Sequence, residues 1–392
     1  MGASIKDKVA IIGVGCTKFG NIWEKDAEDL LVDAVYEAYD DAGVEPKDIE
    51  AIWVGNQYDF TGIAGNTAAD PLKWYGRPVT RIENWCASGM DAFRNACYAL
   101  IAGVYDIVLA CGVEKIMDQG ARGTPPLGAG QHPLIGSMTT VPPPMFALAA
   151  TRCFARYGWT KEDLARVAIK NHHNGAAHPK AQFRREVDMD TVLNAPMIAD
   201  PLGVYDSCGV SDGAAALVLT RADMAKNFRH KDDYVLVKAN ALALYTAYPM
   251  YKPGYDYLGF PATQAAAKMA YEEAGIKDPR KEVDFAEVHD CFTITEILNY
   301  EDLGFCKKGE GAQFIADEIP EIDGELPVNP SGGLKCFGHP IGATGCRMLY
   351  EVTKQLQGRA DGLQVKDPEL GLAHNLGGPH CVCSVTILGR KG

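Results

Sequence analysis

The pattern of apolar and polar positions predicts strands and helices that follow one another along the chain. An apolar run at 9–13 indicates a buried strand. A helical pattern ends at 38–43, where a Gly occupies the position that closes many helices in a left-handed conformation. After a short loop, the run at 49–54 is typical of another strand. A longer helical pattern begins just beyond Cys86, after a stretch of small residues.

The second half of the chain repeats features of the first. The sequence AYDDAG at 38–43 is matched by AYEEAG at 270–275, an offset of 232 residues. The strand-like run at 49–54 is matched by a run at 283–288, an offset of 234 residues. Echoes in the same order predict two related α/β halves, in which right-handed crossovers build a mostly parallel sheet.

Cys86 and His339 occupy equivalent positions in this repeat, at an offset of 253 residues, and each is followed by a Gly and then an Arg at the same spacing. The start of a helix favours a thiolate by only about 0.3–1 kcal/mol, so a Cys nucleophile also needs a base, most often His. If the halves pack about a pseudo-twofold axis, both residues face one central pocket. The alternative is that Cys86 is a buried packing residue, as most free cysteines are.

Between the halves lies a segment of a different character. Residues 118–145 are rich in Gly and Pro, which predicts a long excursion outside the core, and helical patterns resume at about 146–174. The sequence therefore predicts an inserted loop domain that covers the pocket. The predicted domains are an N-terminal half at 1–117 with 206–232, the insertion at 118–205, and a C-terminal half at 233–392.

Composition narrows the class of protein. The chain has 392 residues, of which 47% are hydrophobic and 23% charged, as in an ordinary globular protein. A net charge of −13 argues against nonspecific binding to nucleic acid or to an anionic membrane. The start of the chain lacks the layout of a signal peptide, and no uninterrupted apolar run reaches about 18 residues. We therefore expect a cytoplasmic protein without a membrane span.

The cysteines indicate reduced thiols rather than a disulfide framework. The chain has twelve Cys, and its start lacks the signal-peptide pattern expected of a secreted protein. The grouping most like a metal site is His380, Cys381 and Cys383, but the alternation of the two thiols fits one face of a strand. We expect no metal centre.

Three further segments join Cys86. The sequence His289-Asp290-Cys291-Phe292 follows a predicted strand, a Gly-His-Pro-Ile-Gly run contains His339, and Asn375-Leu376-Gly377-Gly378 precedes the last strand. Together these motifs resemble the thiolase superfamily, and within it the branch of sterol carrier protein x, where His-Asp-Cys-Phe replaces Asn-Glu-Ala-Phe. The resemblance covers nearly the whole chain. It implies the thiolase fold, with two pseudo-symmetric βαβ-type halves in a layered αβαβα arrangement and an inserted loop domain.

The resemblance implies cleavage of a β-ketoacyl-CoA by coenzyme A, or the reverse Claisen condensation. Cys86 would be the acylated nucleophile and His339 its base. Cys291 would exchange a proton with the enolate, in place of the Cys that many thiolases carry in the C-terminal loop. His289 would share an oxyanion site with His339, and the backbone N–H groups of Cys86 and Gly378 would form the second oxyanion hole.

Coenzyme A is the co-substrate that the resemblance implies, without a prosthetic cofactor. A homodimer core is expected. The chain is most similar to members that work with a small zinc-ribbon and OB-fold partner subunit, acting on acetoacetyl-CoA or benzoylsuccinyl-CoA, and the overall resemblance favours the aromatic substrate. The residues expected to contact CoA or the acyl group are Met145, Phe146, Lys180, Arg184, Arg185 and Cys208.

Two other functions stay open. Thiolase-like proteins with altered sites act as retro-aldol lyases on β-hydroxyacyl-CoA, a reaction that needs no acylated Cys86. A noncatalytic acyl-CoA-binding subunit is the third class. The joint presence of Cys86, His289, Cys291 and His339 favours a thiolase over both.

Overall fold

The computed structural model describes residues 4–119, 141–246 and 252–390. Its strands are Val9–Cys16 (β1), Ala51–Gly55 (β2), Val79–Ile82 (β3), Ile107–Glu114 (β4), Met197–Ala199 (β5), Leu202–Gly203 (β6), Gly213–Arg221 (β7), Val235–Leu244 (β8), Phe285–Val288 (β9), Leu370–Gly377 (β10) and Val382–Arg390 (β11). Nine of them form one sheet in the order β3-β2-β4-β7-β1-β8-β11-β10-β9, and β5 pairs with β6.

The sheet is two mirrored halves joined edge to edge. In the first half the order is β3-β2-β4-β7-β1, and in the second β9, β10, β11 and β8 take the places of β2, β4, β7 and β1. The second half also has a counterpart to β3, which lies beside β2. Val328 forms an isolated parallel β-bridge with Ala286 of β9, the strand that corresponds to β2. The halves meet where β1 and β8 pair at two positions, Ala10 with Leu236 and Ile11 with Val235. The predicted repeat is confirmed.

The expectation of a mostly parallel sheet is wrong. β2 lies parallel to β3 and β4, and β9 lies parallel to β10. The other five pairings of this sheet are antiparallel. The pairing of β10 with β11 has a local cause, because the turn at 378–381 reverses the chain and strands joined by a tight turn can pair only in antiparallel fashion.

The helices complete the layers. They are Ala27–Ala42 (α1), Asn66–Ala69 (α2), Ser88–Ile101 (α3), Pro142–Tyr157 (α4), Lys161–Ala177 (α5), Met189–Leu193 (α6), Pro261–Ala274 (α7), Pro279–Glu282 (α8), Thr293–Asp302 (α9), Gly311–Ala316 (α10), Gly333–Phe337 (α11) and Ile341–Leu356 (α12). α1 packs on β1 and β7, α7 packs on β8 and β11, and α3 and α12 lie together between the two halves of the sheet. This is the expected αβαβα arrangement.

The middle layer depends on glycines. A Cβ on Gly89 of α3 would lie 2.5 Å from the carbonyl oxygen of Gly342 in α12, and a Cβ on Gly345 would overlap the backbone of Met90. Real Cβ atoms do not approach so closely, so only Gly allows the two helix starts to touch. The same contact brings together Cys86 and His339, which lie just before these two helix starts.

The segment between the halves is partly helical. The excursion predicted at 118–145 falls largely on residues outside the described ranges, but its last residues begin α4, one turn before the predicted resumption at 146. Pro142 takes the first position of α4, where a missing N–H costs nothing. The boundaries of the predicted domains stay a prediction.

We predict that Gly89→Ala separates α3 from α12. The added methyl group meets backbone that cannot move aside, so the free energy of unfolding should fall by about 1–3 kcal/mol and turnover should be lost. Thermal unfolding and a CoA-thioester assay measure the two effects.

Gly103→Ala is the matched control. Gly103 has φ 68° and nothing within 4 Å of a Cβ, so this change should cost about 1 kcal/mol through backbone strain alone and leave turnover intact. Full activity in Gly89→Ala would contradict the packing argument.

Candidate active site

Four side chains converge where the two halves meet. Cys86 stands two residues before α3, and His339 stands two residues before α12. His289 follows the end of β9, and Cys291 lies in the loop between β9 and α9. The sulfur of Cys86 and one ring nitrogen from each of His289 and His339 all lie within 4.8 Å of one another.

These side chains line one cavity of about 380 Å³. Among the predicted contacts, Met145, Phe146, Cys208 and Gly378 also line it. The wall is largely apolar and aromatic, a surface that suits an acyl chain and excludes water from a charge that forms inside it. Ser207 and Gly209, in the loop around Cys208 that the resemblance implies for contact with CoA, also line the cavity. Sequence reasoning assigned no role to the other residues of the wall, which are Gln57, Tyr58, Trp85, Val141, Pro142, Pro143, Ile198, Val210, Phe292, Ile341 and Leu376.

Thr344 sets the protonation of the His339 ring. The Thr344 hydroxyl donates its one proton to the Pro340 carbonyl oxygen at 2.8 Å. It can therefore only accept at its second contact, 2.7 Å from His339 Nδ1. Nδ1 must carry the ring proton, which leaves the lone pair of Nε2 free to act as a base.

Asn375 gives the His289 ring the opposite tautomer. Its amide nitrogen lies 3.0 Å from His289 Nδ1, and an amide nitrogen can only donate. Nδ1 is then the acceptor, so Nε2 carries the proton and becomes a donor. The rings of His289 and His339 stand at 89° with their centroids 5.1 Å apart. The His289 imidazole therefore offers a proton, and the His339 imidazole offers a lone pair.

Desolvation keeps the half-buried Cys86 thiol protonated. Desolvation raises the pKa of the Cys86 thiol to about 12, and backbone N–H groups of Gly378 and of Cys86 itself oppose the rise by hydrogen bonding. Burial, reinforced by the positive charge of Arg347, lowers the pKa of His339 to about 3. Desolvation therefore outweighs the preference for thiolate that a helix start provides, because the helix contributes less free energy than desolvation removes.

The backbone holds Cys86 in a sharp bend. Trp85, directly before it, has φ 53°, a left-handed conformation that costs a residue other than Gly roughly 1 kcal/mol or more. The Ser88 hydroxyl donates to the Trp85 carbonyl oxygen and accepts from the Asn84 N–H, which fixes the bend. Opposite it, a Cβ on Gly377 would come within 3.0 Å of the Cys86 nitrogen. The glycines let the C-terminal loop reach the sulfur.

Cys291 lies deeper in the same cavity. It is 6% exposed, and its sulfur contacts the Thr295 hydroxyl at 3.9 Å. Desolvation raises the pKa of this thiol well above its usual value, and the nearby Cys208 and Cys86 add to the rise. Cys291 is therefore a neutral thiol, a form that can give a proton to a carbanion.

Two buried carboxylates support the loops that carry the histidines, and sequence reasoning gave neither a role. Glu114 accepts from the backbone N–H of Gly342 at 3.0 Å and from that of Gln57 at 3.0 Å, which ties the start of α12 to the N-terminal half. Asp290, inside the His-Asp-Cys-Phe motif, accepts from the backbone of Leu334 and Lys335 in α11. The sequence did contain a signal for the importance of Asp290, because this residue lies between the candidate residues His289 and Cys291.

Sequence comparison decides the family. Residues 9–223 match the thiolase N-terminal domain, and residues 251–390 match a thiolase C-terminal domain-like family. The chain belongs to the thiolase family. As a thiolase it is an acyltransferase that takes coenzyme A as co-substrate, and it falls in the branch related to sterol carrier protein x.

Two named relatives are similar over almost their full length. An acetyl-CoA acetyltransferase from Methanothermobacter thermautotrophicus is 41% identical, over 97% of this chain and 99% of the relative. The benzoylsuccinyl-CoA thiolase subunit BbsB from Thauera aromatica is 32% identical, over 95% of this chain and 96% of the relative. Among solved structures, the Ltp2–ChsH2(DUF35) aldolase matches with a TM-score of 0.87 at 24% identity, covering 99% of each chain.

The three basic residues predicted to contact CoA lie outside the cavity that Cys86 lines in this thiolase. Lys180 bonds Glu37 at 2.6 Å and the Tyr350 hydroxyl at 3.0 Å, in a different cavity near the start of the chain. Arg184 and Arg185 are exposed at a further cavity that adjoins the one lined by Cys86. Their role in binding CoA stays a prediction.

The other His and Cys near the C-terminal loop have packing partners. His380 lies in the turn before β11, 3.1 Å from the Tyr255 hydroxyl and against the ring of Phe146. Cys383 lies buried in β11, whereas Cys381 precedes the strand and donates to the Gly377 carbonyl at 3.7 Å.

Across the described parts of the thiolase, no helix has the length and apolarity that a membrane crossing needs.

We predict that alkylation of Cys86 by iodoacetamide accelerates about tenfold per pH unit from pH 6 to pH 9 without levelling off. The reagent attacks the thiolate, whose share rises with pH until the pKa near 12 is passed. Mass spectrometry of the Cys86 peptide measures the rate, with Cys86→Ser as the blank. A plateau of the alkylation rate below pH 8 would mean that Cys86 and His339 form a thiolate–imidazolium pair, and would contradict the assignment of Cys86 as a protonated thiol.

Loss of the Thr344 acceptor should slow turnover. In Thr344→Val the Nδ1 proton of His339 has no partner, so the other tautomer competes and kcat should fall about tenfold or more. Thr344→Ser keeps the acceptor and serves as the control, with kcat close to that of the unchanged protein. Equal kcat values in the Val and Ser variants would rule out the orienting role.

Proposed function

We propose that this thiolase cleaves a β-ketoacyl-CoA through an acyl-Cys86 intermediate, and that the same site runs the reverse condensation. The convergence of the Cys86 sulfur with ring nitrogens of His289 and His339 carries the proposal. The sulfur attacks the β-ketone carbon while its proton passes to Nε2 of His339. The bond between the α and β carbons then breaks, and the acyl group stays on the sulfur.

The electron pair of the broken bond forms the enolate of the departing thioester. The Nε2–H of His289 and the newly protonated Nε2 of His339 donate to its oxygen, and Cys291 gives a proton to its carbon. The thiol of coenzyme A then gives its proton to the Cys291 thiolate and attacks the carbonyl carbon of acyl-Cys86. The bond from that carbon to the Cys86 sulfur breaks, the sulfur takes back its proton from His339, and the shortened acyl-CoA leaves. The N–H groups of Cys86 and Gly378 stabilise the oxyanion of each tetrahedral intermediate, at about 3–4 kcal/mol per donor in comparable sites.

Acetoacetyl-CoA is the substrate that the similarity to an acetyl-CoA acetyltransferase favours. Benzoylsuccinyl-CoA, which the overall resemblance of the sequence favoured, becomes the second candidate. In its favour are the similarity to BbsB and the size and aromatic wall of the cavity, which at about 380 Å³ is much larger than an acetyl group requires. Physiological direction follows from metabolite concentrations.

The proposal extends to assembly and location. We propose a homodimer core, a small zinc-ribbon and OB-fold partner subunit, and a cytoplasmic location. Similarity in fold to a thiolase-like chain whose complex includes a DUF35 subunit supports the partner. We also propose the division into halves at 1–117 with 206–232 and at 233–392, with the insertion at 118–205 over the cavity.

A retro-aldol lyase is the main competing function, because a fold neighbour is named an aldolase. Such a reaction forms no bond to Cys86. The base aimed into the cavity from His339 and the neutral Cys291 thiol favour the thiolase. A noncatalytic binding subunit would need none of these groups.

The deciding experiment uses the protein purified with its native partners. CoA-dependent cleavage of acetoacetyl-CoA and of benzoylsuccinyl-CoA is measured while the Cys86 peptide is examined for an added acyl mass. We expect cleavage with at least one substrate, an acyl adduct on Cys86, and loss of both in Cys86→Ser. Activity on a β-hydroxyacyl-CoA that survives Cys86→Ser would establish the lyase instead, and no turnover or adduct with either thioester would support the binding subunit.

A further inference from the structure

A second cavity, of about 510 Å³, adjoins the catalytic one. Ile198, Ser207, Cys208 and Gly209 line both, so the two cavities meet along this segment. The outer rim of the second cavity carries Arg184 and Arg185. Its inner wall is formed by His172, Phe183, Tyr205 and Lys335.

Lys335 on this wall differs from the other buried lysines of the described chain. Lys115, Lys170 and Lys335 are 3%, 1% and 2% exposed. Lys115 pairs with Asp212 at 2.7 Å, and Lys170 pairs with Glu296 at 2.8 Å. Within the described residues, the Lys335 ammonium has no carboxylate partner. A buried cation without a counter-ion is costly, which makes this one a candidate for binding an anion.

The surroundings of Lys335 satisfy one of its three protons. His172 Nδ1 lies 2.7 Å from the Arg185 carbonyl oxygen and must donate to it, so His172 Nε2 is the acceptor for Lys335, at 3.4 Å. The faces of Phe183 and Tyr205 lie 5.7 Å from the Lys335 nitrogen. Aromatic faces attract a cation but do not neutralise it. Two N–H groups are left for an anionic oxygen.

We propose that this second cavity binds an anionic oxygen group of the thioester substrate, with Lys335 as its principal contact. The inference rests on the proposed function and deepens it by naming a charged subsite. The group is either a carboxylate at the end of the acyl chain or a phosphate of coenzyme A. The buried Lys335 suits a small monoanion, whereas the exposed Arg184 and Arg185 suit a hydrated phosphate.

The first arm of the test compares two thioesters that differ only at the far end of the acyl chain. They are 3-oxoadipyl-CoA, which ends in a carboxylate, and 3-oxohexanoyl-CoA, which ends in a methyl group. Binding is measured by calorimetry in a Cys86→Ser background, where no turnover occurs. If the carboxylate is the ligand, Lys335→Met lowers the preference for 3-oxoadipyl-CoA about tenfold or more.

The second arm compares coenzyme A with 3′-dephospho-coenzyme A. If a phosphate is the ligand, Lys335→Met weakens coenzyme A about tenfold or more and reduces its advantage over the dephospho form. Lys226→Met, at an exposed position, is the matched control and should change neither preference. Lys335→Arg should restore part of the affinity.

The proposal is overturned if Lys335→Met leaves both preferences within about twofold of the control. Thermal unfolding distinguishes a structural role of Lys335 from a role in ligand binding. If Lys335 only binds the ligand, its removal takes away an unpaired buried charge and should leave the melting temperature unchanged or raise it. Since both arms measure binding and not turnover, they decide the role of Lys335 even if no β-ketoacyl-CoA is cleaved. Failure of the proposed function would show only in the assay for acyl-Cys86.

Discussion

Contact between α3 and α12 is the constraint on which the site depends. Each half of the molecule contributes one helix start, and one residue of the candidate site stands just before each start. Gly89 and Gly342 let the two backbones touch, so a thiol and an imidazole from sequence positions 253 residues apart come within a few ångströms. Neither half contains a complete site. The candidate site exists only where the two matching α/β halves meet.

Burial and hydrogen bonding then divide the work among similar side chains. His289 and His339 are both buried, and desolvation lowers the pKa of each, so neither supplies a permanent charge. Their partners make the difference, since Asn375 donates to one ring and Thr344 accepts from the other. Both imidazoles are therefore neutral, one with a proton and the other with a lone pair directed into the cavity. Preorganised donors are most effective in such a dry environment.

Much of this was readable from the sequence, because motifs and repeats record backbone geometry. The matched runs ending at Gly43 and Gly275 predicted the two halves, and the equivalence of Cys86 with His339 predicted that they share a pocket. The protonation state of Cys86 was not readable, because desolvation sums over residues from distant parts of the chain. Lys180 shows the same limit, since its partner Glu37 lies 143 residues away and diverts it from the cavity.

The protonated state of Cys86 also affects the chemical durability of the protein. Peroxides and electrophiles in the cell react with thiolates far faster than with thiols. A cysteine that stays protonated in this way presents little for these agents to attack. The desolvation that makes the free sulfur a weak nucleophile thus also guards it against oxidation.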